Sequence, residues 1–390
     1  MQYSTFAAID IGSYDVILEI FEISKKQGIR SVDKICHRME LGKDTYTLGK
    51  IRPEMEEELC RVLADFVRIM EGYRVDDYRA TASSAISEAS NSLYVLGKIH
   101  QLTGLSVTVL SNSEQRFLSY KALAAMEDNF NKIIEKGTAI LDLDGGSFQI
   151  SLFDKDALVT TQNIRMGSLR IRERLAGIQS ETEHYEEMVE ELIWNEVSSF
   201  KKMYLKDRKI ENIMLIGDVF TDSVYQNIEE KTTKIISREN FNTWYEKIIR
   251  QSPMELAVKL GIPLENASLM YPSAVIYKCL IDMMGAEHIW IPGVHMTRGI
   301  AYEYAEQMKL LKGGHNFEND ILMAAKNIGK RYAVNRPHVQ NLEMTALAMF
   351  DATKKMHGMK ERERLLLQMA VMLHDVGKYI SFNKCGGFFL

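Results

Sequence analysis

One device occurs twice in this chain of 390 residues. Ala8-Ile9-Asp10-Ile11-Gly12-Ser13 is echoed, 132 residues on, by Leu141-Asp142-Leu143-Asp144-Gly145-Gly146-Ser147. Each copy is an apolar run ending in Asp, then a Gly-Ser turn, then a second apolar run (Val16 to Ile23; Phe148 to Phe153). An apolar run broken at Gly and then resumed is the pattern of a β-hairpin. Gly permits a turn that a side chain would block, and it lets an anion approach the exposed N–H groups. An Asp at the strand end can hold Mg²⁺ against that anion, because hard cations take carboxylate and phosphate oxygens. Two copies at domain-scale spacing predict two related lobes gripping one phosphate from both sides.

The chain is too long for a single core, and two or three domains are expected. A net charge of −5 argues against a DNA partner held by a basic surface, so any polyanion site must be local. No apolar stretch reaches membrane-spanning length, and Asp10, Asp15 and Glu19 interrupt what would otherwise be a signal peptide. Cys36, Cys60, Cys279 and Cys385 have no metal or redox spacing, which fits free thiols in a reducing cytoplasm.

Residues 6–23 predict two strands around the first turn, and 34–41 a third. Pro53 opens a helix reaching about Tyr73, with Leu59, Val62, Phe66, Ile69 and Met70 on one apolar stripe. Strands are predicted at 78–81 and 106–110, and helices at 93–102 and 114–126. The strand–turn–strand pattern restarts at Thr138 and is followed by a long charged helix at 181–205 and a strand at 213–216. Residues 268–284, a strand at 288–291 and a helix at 296–311 close that lobe. Beyond Gly313-Gly314 every periodic segment is helical: 320–332, 337–357 and 361–376. The expected division is 1–127, 128–311 and 312–390, in the order α/β, α/β, all-α.

In order and spacing, both turns together with Thr81-Ala82-Ser83-Ser84-Ala85, Leu110-Ser111, Glu114, Arg165-Met166-Gly167-Ser168 and Thr297-Arg298-Gly299 resemble a known family. It is the exopolyphosphatase/guanosine pentaphosphate phosphatase (Ppx/GppA) family of the actin and sugar-kinase superfamily, and the likeness covers roughly residues 5–305. The resemblance implies an α/β fold of two ribonuclease-H-like lobes with a cleft between them. There a polyphosphate or guanosine pentaphosphate end would be cradled by Gly12, Ser13, Gly145, Gly146, Ser147 and Arg298 and hydrolysed with Mg²⁺ on Asp10 and Asp142. It also suggests a homodimer.

The departures from the family pattern bear on activity. The usual Gly-Ser-Asn-Ser turn is here Gly12-Ser13-Tyr14-Asp15. A phosphate-pairing Arg in Thr-Ser-Ala-x-Arg-x-Ala is expected where this chain has Ile86. The family's base, the second Glu of Ser-Gly-x-Glu-Glu-Ala, is Gln115, and the Glu that ends its Asp-x-Gly-Gly-Gly-Ser-x-Glu loop is Gln149. An amide does not accept a proton from attacking water, and loss of a general base slows hydrolysis ~10²–10⁴-fold. Glu114 is the candidate substitute base, although neighbouring helix positions face different ways. Asp144 adds negative charge beside the anion site. The expectation is a binder of a phosphorylated small molecule or polyphosphate with weak or lost hydrolysis. The alternative is an active Mg²⁺-dependent phosphohydrolase that uses a non-standard base. An ATP-using relative fits less well, since the second lobe's Ile216-Gly217-Asp218-Val219 has one Gly where an adenosine pocket expects a Gly-rich turn.

The last segment resembles an HD domain through Pro337-His338-Val339 and Leu373-His374-Asp375-Val376-Gly377. That likeness makes His338, His374 and Asp375 three of four ligands for a divalent metal. The fourth would be an Asp on a later helix, and the domain reads as cut short at Leu390.

Overall fold

The computed structural model describes residues 3–126, 130–155, 157–176, 185–227, 234–311, 315 and 317–379. Two sheets organise the α/β part. The first contains β1 (Ser4–Ile11), β2 (Asp15–Ser24), β3 (Gly28–Arg38), β4 (Asp77–Ala82) and β5 (Val107–Val109), in the order β3-β2-β1-β4-β5. The second contains β6 (Thr138–Leu143), β7 (Phe148–Asp154), β8 (Ala157–Ile164), β9 (Asn212–Ile216), β10 (Ile235–Ser237) and β11 (His288–Trp290), in the order β10-β11-β9-β6-β7-β8. Read from β8 inward, the second sheet repeats the first. Its opening hairpins are antiparallel, and the next strand joins the first one in parallel (β1–β4; β6–β9). The duplication seen in the turns is therefore a duplication of topology.

Alternation along β1 explains why this strand is buried on both faces. Ala7, Ile9 and Ile11 point into a core with Leu59, Leu63 and Phe66 of the Pro53–Tyr73 helix. Phe6 and Ala8 point the other way, onto Ile300 and Tyr304 of the Met296–Gln307 helix. Successive strand residues face opposite sides, so one strand serves both cores. Phe6 stacks on Tyr304 with ring centroids 4.1 Å apart. The Pro53–Tyr73 helix forms as expected, with Pro at its start, Glu54 and Glu56 in the first turn, and Arg74 left-handed at its end.

The Asn112–Met126 helix is the wedge between the two halves. Leu118 packs with Phe6 and Ile300, while Tyr120 and Leu123 pack with Ile140 and Phe153 of the second sheet. The Met296–Gln307 helix lies against it so closely that a Cβ on Gly299 would sit 2.0 Å from the Leu118 carbonyl oxygen. This helix follows the second sheet in sequence yet covers the first sheet in space.

Several expected segments shift. The third strand runs Gly28–Arg38 rather than 34–41, and residues Leu41–Leu48 are a helix. Within 181–205 the helix spans Tyr185–Phe200 and continues as a π-helix over Lys201–Leu205. Three helices, Val219–Asn227, Arg238–Ile249 and Pro253–Leu260, occupy a stretch for which no element was expected. Beyond Met308 every element among the described residues is helical: Phe317–Arg331, Arg336–Ala352, Lys354–His357, Glu361–Leu373 and a 3₁₀ turn at Val376–Tyr379. The Gly313-Gly314 junction and residues 380–390 lie outside the described residues. Among the described residues no helix is long and apolar enough to cross a membrane.

Candidate active-site cleft

The two hairpins are built alike at the level of single hydrogen bonds. Gly12 N–H donates to the Asp15 carbonyl at 2.8 Å, and Asp144 N–H donates to the Ser147 carbonyl at 2.9 Å. The register therefore pairs Gly12-Ser13-Tyr14-Asp15 with Asp144-Gly145-Gly146-Ser147, so Ser13 corresponds to Gly145 and not to Ser147. Asp10 lies opposite Ile17 on β2, and Asp142 lies opposite Gln149 on β7.

A cavity of about 380 Å³ opens between the halves, where the ends of β1, β4, β6 and β9 meet the Asn112–Met126 helix. Asp10, Gly12, Ser13, Asp142, Gly145 and Gln115 line it. Gly146, Ser147 and Arg298, expected to touch phosphate, do not. A Cβ on Gly146 would fall 2.1 Å from the Tyr46 hydroxyl oxygen and 2.5 Å from Ser84 Oγ, so protein already fills the space above it. Ser147 is buried. Arg298 is held in the field of the Glu19 carboxylate, and burial lowers its guanidinium from the ordinary range.

Glu114 is not placed to act as a base. Its carboxylate accepts from Ser111 N–H and Ser111 Oγ, both at 2.8 Å, closing a capping box at the helix start. Those bonds hold the carboxyl below its ordinary range, and the side chain lies outside the cleft cavity. Gln115, Ser119 and Ala122 instead form the helix face that lines the cleft, at helical spacing. Gln115 is 5% exposed, and Ser119 Oγ donates to Asp142 Oδ2 at 2.6 Å. Ile86 is fully buried in the first core, so its position presents nothing to the cleft. Laid residue by residue on Ser83-Ser84-Ala85-Ile86-Ser87-Glu88-Ala89, the motif puts the Arg position at exposed Ser87, and the clamp is absent there as well.

The cavity is acidic. Asp15, Asp144, Asp218 and Asp222 join Asp10 and Asp142 in its lining, against Lys34, Arg38 and His295. Burial raises Asp10 well above the usual carboxylate range, and the charges of Asp144, Asp15 and Asp142 push it further. Burial lifts Asp142 to about 6. Burial, with Asp142, Asp15 and Asp218 adding repulsion, lifts Asp144 to about 7. Asp218 also rises to about 7, chiefly through burial. Asp10 Oδ1 is buried without a protein donor. A hard cation suits such an oxygen, so the donor set of Asp10 and Asp142 fits Mg²⁺. Asp218 was missed in sequence, although it follows Gly217 at the end of β9 much as Asp144 follows β6.

Beside the cavity the halves are strapped together. Within the first half, Ser13 Oγ, Tyr46 Oη and Ser84 Oγ form a hydroxyl triangle with sides of 2.7, 2.9 and 3.0 Å, which the second half caps at Gly146. Arg170 lies 3.8 Å over the Tyr46 ring, pairs with Glu88, and donates through Nε to the Gly146 carbonyl at 2.8 Å. Arg172 grips Glu40 with two bonds of 2.7 and 2.8 Å. Tyr14 Oη donates to Asn266 Oδ1 at 2.6 Å. Arg170 and Arg172, which a surface helix would leave solvated, are therefore interlobe ties.

Outside the cleft lining, His338, His374 and Asp375 do meet, their ligating atoms within 4.8 Å of one another. Asp375 Oδ1 is already engaged by Lys378 Nζ at 2.6 Å and His374 Nε2 at 3.0 Å.

Comparison with known proteins bears on the family and the fold. The Ppx/GppA phosphatase family profile matches residues 20–308, and that of Ppx/GppA phosphatase domain III matches 322–386. The chain is 20% identical, over 98% of its length and 74% of the relative's, to a guanosine-5'-triphosphate,3'-diphosphate pyrophosphatase of Photobacterium profundum. It is 21% identical, over 73% of its length and 44% of the relative's, to a bifunctional 3-dehydroquinate synthase/phosphatase of Fusobacterium nucleatum. Among solved structures, an exopolyphosphatase from Cytophaga hutchinsonii superposes with a TM-score of 0.69 at 17% identity, covering 79% of this chain and all of that one. The Aquifex aeolicus Ppx/GppA family member gives 0.65 at 17% identity, covering 79% and 99%. The C-terminal helices thus match the family's own third domain. With both profiles accounting for most of its length, this chain belongs to the Ppx/GppA phosphatase family.

Proposed function

We propose that the cleft binds a phosphoanhydride of the polyphosphate or guanosine pentaphosphate type, and that the chain hydrolyses it slowly or not at all. In this account residues 1–127 and 128–311 are the two gripping lobes and 312–390 a helical appendage. The single observation that carries the proposal is the pair Gln115 and Glu114. The cleft wall offers an amide where the family's base would stand, and the adjacent carboxylate is spent on its own helix start. Mg²⁺ held by Asp10 and Asp142 would neutralise phosphate charge. Ser13 and the Gly12 and Gly145 backbone would orient the ligand end. Gln115 can hold a water by hydrogen bonding but cannot take its proton. At the C-terminal helices, Lys378 already balances Asp375, which supports an ion-paired helix end over a metal-holding HD centre.

The test is phosphate release from long-chain polyphosphate by purified wild type beside Gln115→Glu. A restored base is expected to accelerate release at least ~10²-fold. Wild-type turnover equal to that of the variant contradicts the proposal and favours a phosphohydrolase with another base.

A further inference from the structure

Three buried acceptor oxygens of the cleft have no donor at hydrogen-bond distance, Asp10 Oδ1, Gln149 Oε1 and Asp218 Oδ2, although the Ser273 hydroxyl offsets part of the Asp218 charge. All three residues line the one cavity. Gln149 is 5% exposed, so bulk solvent does not satisfy its amide oxygen. A buried acceptor left without a partner costs about 1–3 kcal/mol, and more when charged, so a shared set of them marks a place for positive charge. The set is not one cage. Among the described residues, the trio of ligating side chains whose atoms fall within 4.8 Å of one another is His338, His374 and Asp375, in the C-terminal helices. Among the described residues no three of the cleft carboxylates gather within that distance.

Their placement follows the duplicated topology. Asp10 ends β1 and Asp142 ends β6, the two positions expected to hold Mg²⁺. Asp144 and Asp218 follow β6 and β9, which are parallel neighbours with Asp142 opposite Ile216. The turn after β9 is pressed onto β6: Gly217 has φ +103°, and a Cβ there would lie 2.6 Å from Asp142 Oδ1 and from the Leu143 carbonyl oxygen. In the first lobe the position matching Asp144 is Gly12, so this acidic pair belongs to the second lobe alone. Mg²⁺ keeps several of its waters and needs only one or two carboxylates, so two spaced aspartates suffice for a hydrated ion.

We propose that the cleft takes two divalent cations, one at Asp10 and Asp142 and a second at Asp144 and Asp218. This rests on the cleft being a cation–phosphate site, and it specifies the form in which the ligand is accepted. Six carboxylates face Lys34 and Arg38, with His295 paired to Asp222 at 3.4 Å. A bare phosphate chain would meet a net negative wall. Two divalent ions add positive charge to that wall and present phosphate with cations on both sides.

The test uses Mn²⁺ alone, titrated calorimetrically into the metal-free full chain without phosphate. Two binding events are expected for wild type. Asp144→Asn and Asp218→Asn should each lose the second event and keep the first, Asp10→Asn should lose the first, and His338→Ala should lose neither. Removing a charge from a crowded acidic cavity should raise the melting temperature of Asp144→Asn in EDTA and shrink its Mn²⁺-induced rise, which separates a lost site from a lost fold. A single event in wild type, or a second event that survives both second-lobe variants or disappears with His338→Ala, overturns the proposal. Two Mn²⁺ ions with no polyphosphate binding leaves the second site standing and removes the proposed function. One Mn²⁺ ion with tight polyphosphate binding does the reverse.

Discussion

The two hairpin turns share one backbone and differ in where they carry charge. Gly12-Ser13-Tyr14-Asp15 puts its carboxylate at the last corner, whereas Asp144-Gly145-Gly146-Ser147 puts it at the first. In the first turn Asp15 is tied to Cys36, whose Sγ donates at 3.4 Å. In the second, Asp144 faces Asp142 and Asp218, and its carboxyl rises to about 7. The same topology thus sets a carboxylate at opposite corners of the two turns. Duplication fixes position, and single substitutions then set chemistry.

The comparison predicts unequal tolerance of added bulk, and this is the largest effect expected. In the second turn Gly146→Ala would put a Cβ 2.1 Å from the Tyr46 hydroxyl oxygen and 2.5 Å from Ser84 Oγ, and should destabilise the fold by about 2–3 kcal/mol in chemical denaturation. Gly12→Ala meets one backbone oxygen at 2.9 Å and should cost about 1 kcal/mol. Equal losses would mean that the two turns are not held differently. Next come the ties between halves. Arg172→Ala leaves the half-buried Glu40 without its bidentate partner and should lower stability by about 1.5–3 kcal/mol. Its interlobe origin can be checked by repeating the denaturation in Glu40→Gln, where Arg172→Ala should then cost much less.

Burial raises carboxyls in both halves, Asp10 and Asp15 in the first among them. Asp142, Asp144 and Asp218 are raised to about 6, 7 and 7 in the folded chain. Unfolded carboxyls ionise near ~4, so from there up to pH 7 the folded state binds more protons than the unfolded one. Stability in EDTA should therefore fall as pH rises from 4 to 7, flatten above that, and recover with Mg²⁺ more at pH 8 than at pH 5. Thermal melts across that range check it, and a rise in stability toward pH 7 in EDTA would show that the second turn is not charge-strained. The smallest effect is at Glu114. Glu114→Gln should weaken the cap by ~0.5–1 kcal/mol and leave phosphate release unchanged.

Much of the frame was legible from local pattern. The paired turns, the Pro53–Tyr73 helix and the restart at Thr138 follow from alternation, Pro placement and repetition, all of which are properties of neighbouring residues. The Pro253–Leu260 helix carried a readable signal in Ser252-Pro253-Met254-Glu255, whose capping box forms as the pattern requires. What stayed hidden depends on long-range contact. Nothing near Met296 says that its helix covers the first sheet, and nothing near Tyr46 says that its hydroxyl fills the space above Gly146, a hundred residues away. Asp218 looked like a loop residue until β9 was paired with β6. Gln115 was legible as a lost base. Glu114 looked like its substitute because a sequence places neighbours together, whereas a helix turns them apart.

The central claim is that this cleft holds phosphate only through cations. Its most direct test is calorimetric titration of short-chain polyphosphate into the full chain at pH 8, with EDTA and then with saturating Mg²⁺. Binding with Mg²⁺ and none in EDTA is predicted, because an acidic wall repels a bare anion. Equal affinity in both would contradict the account.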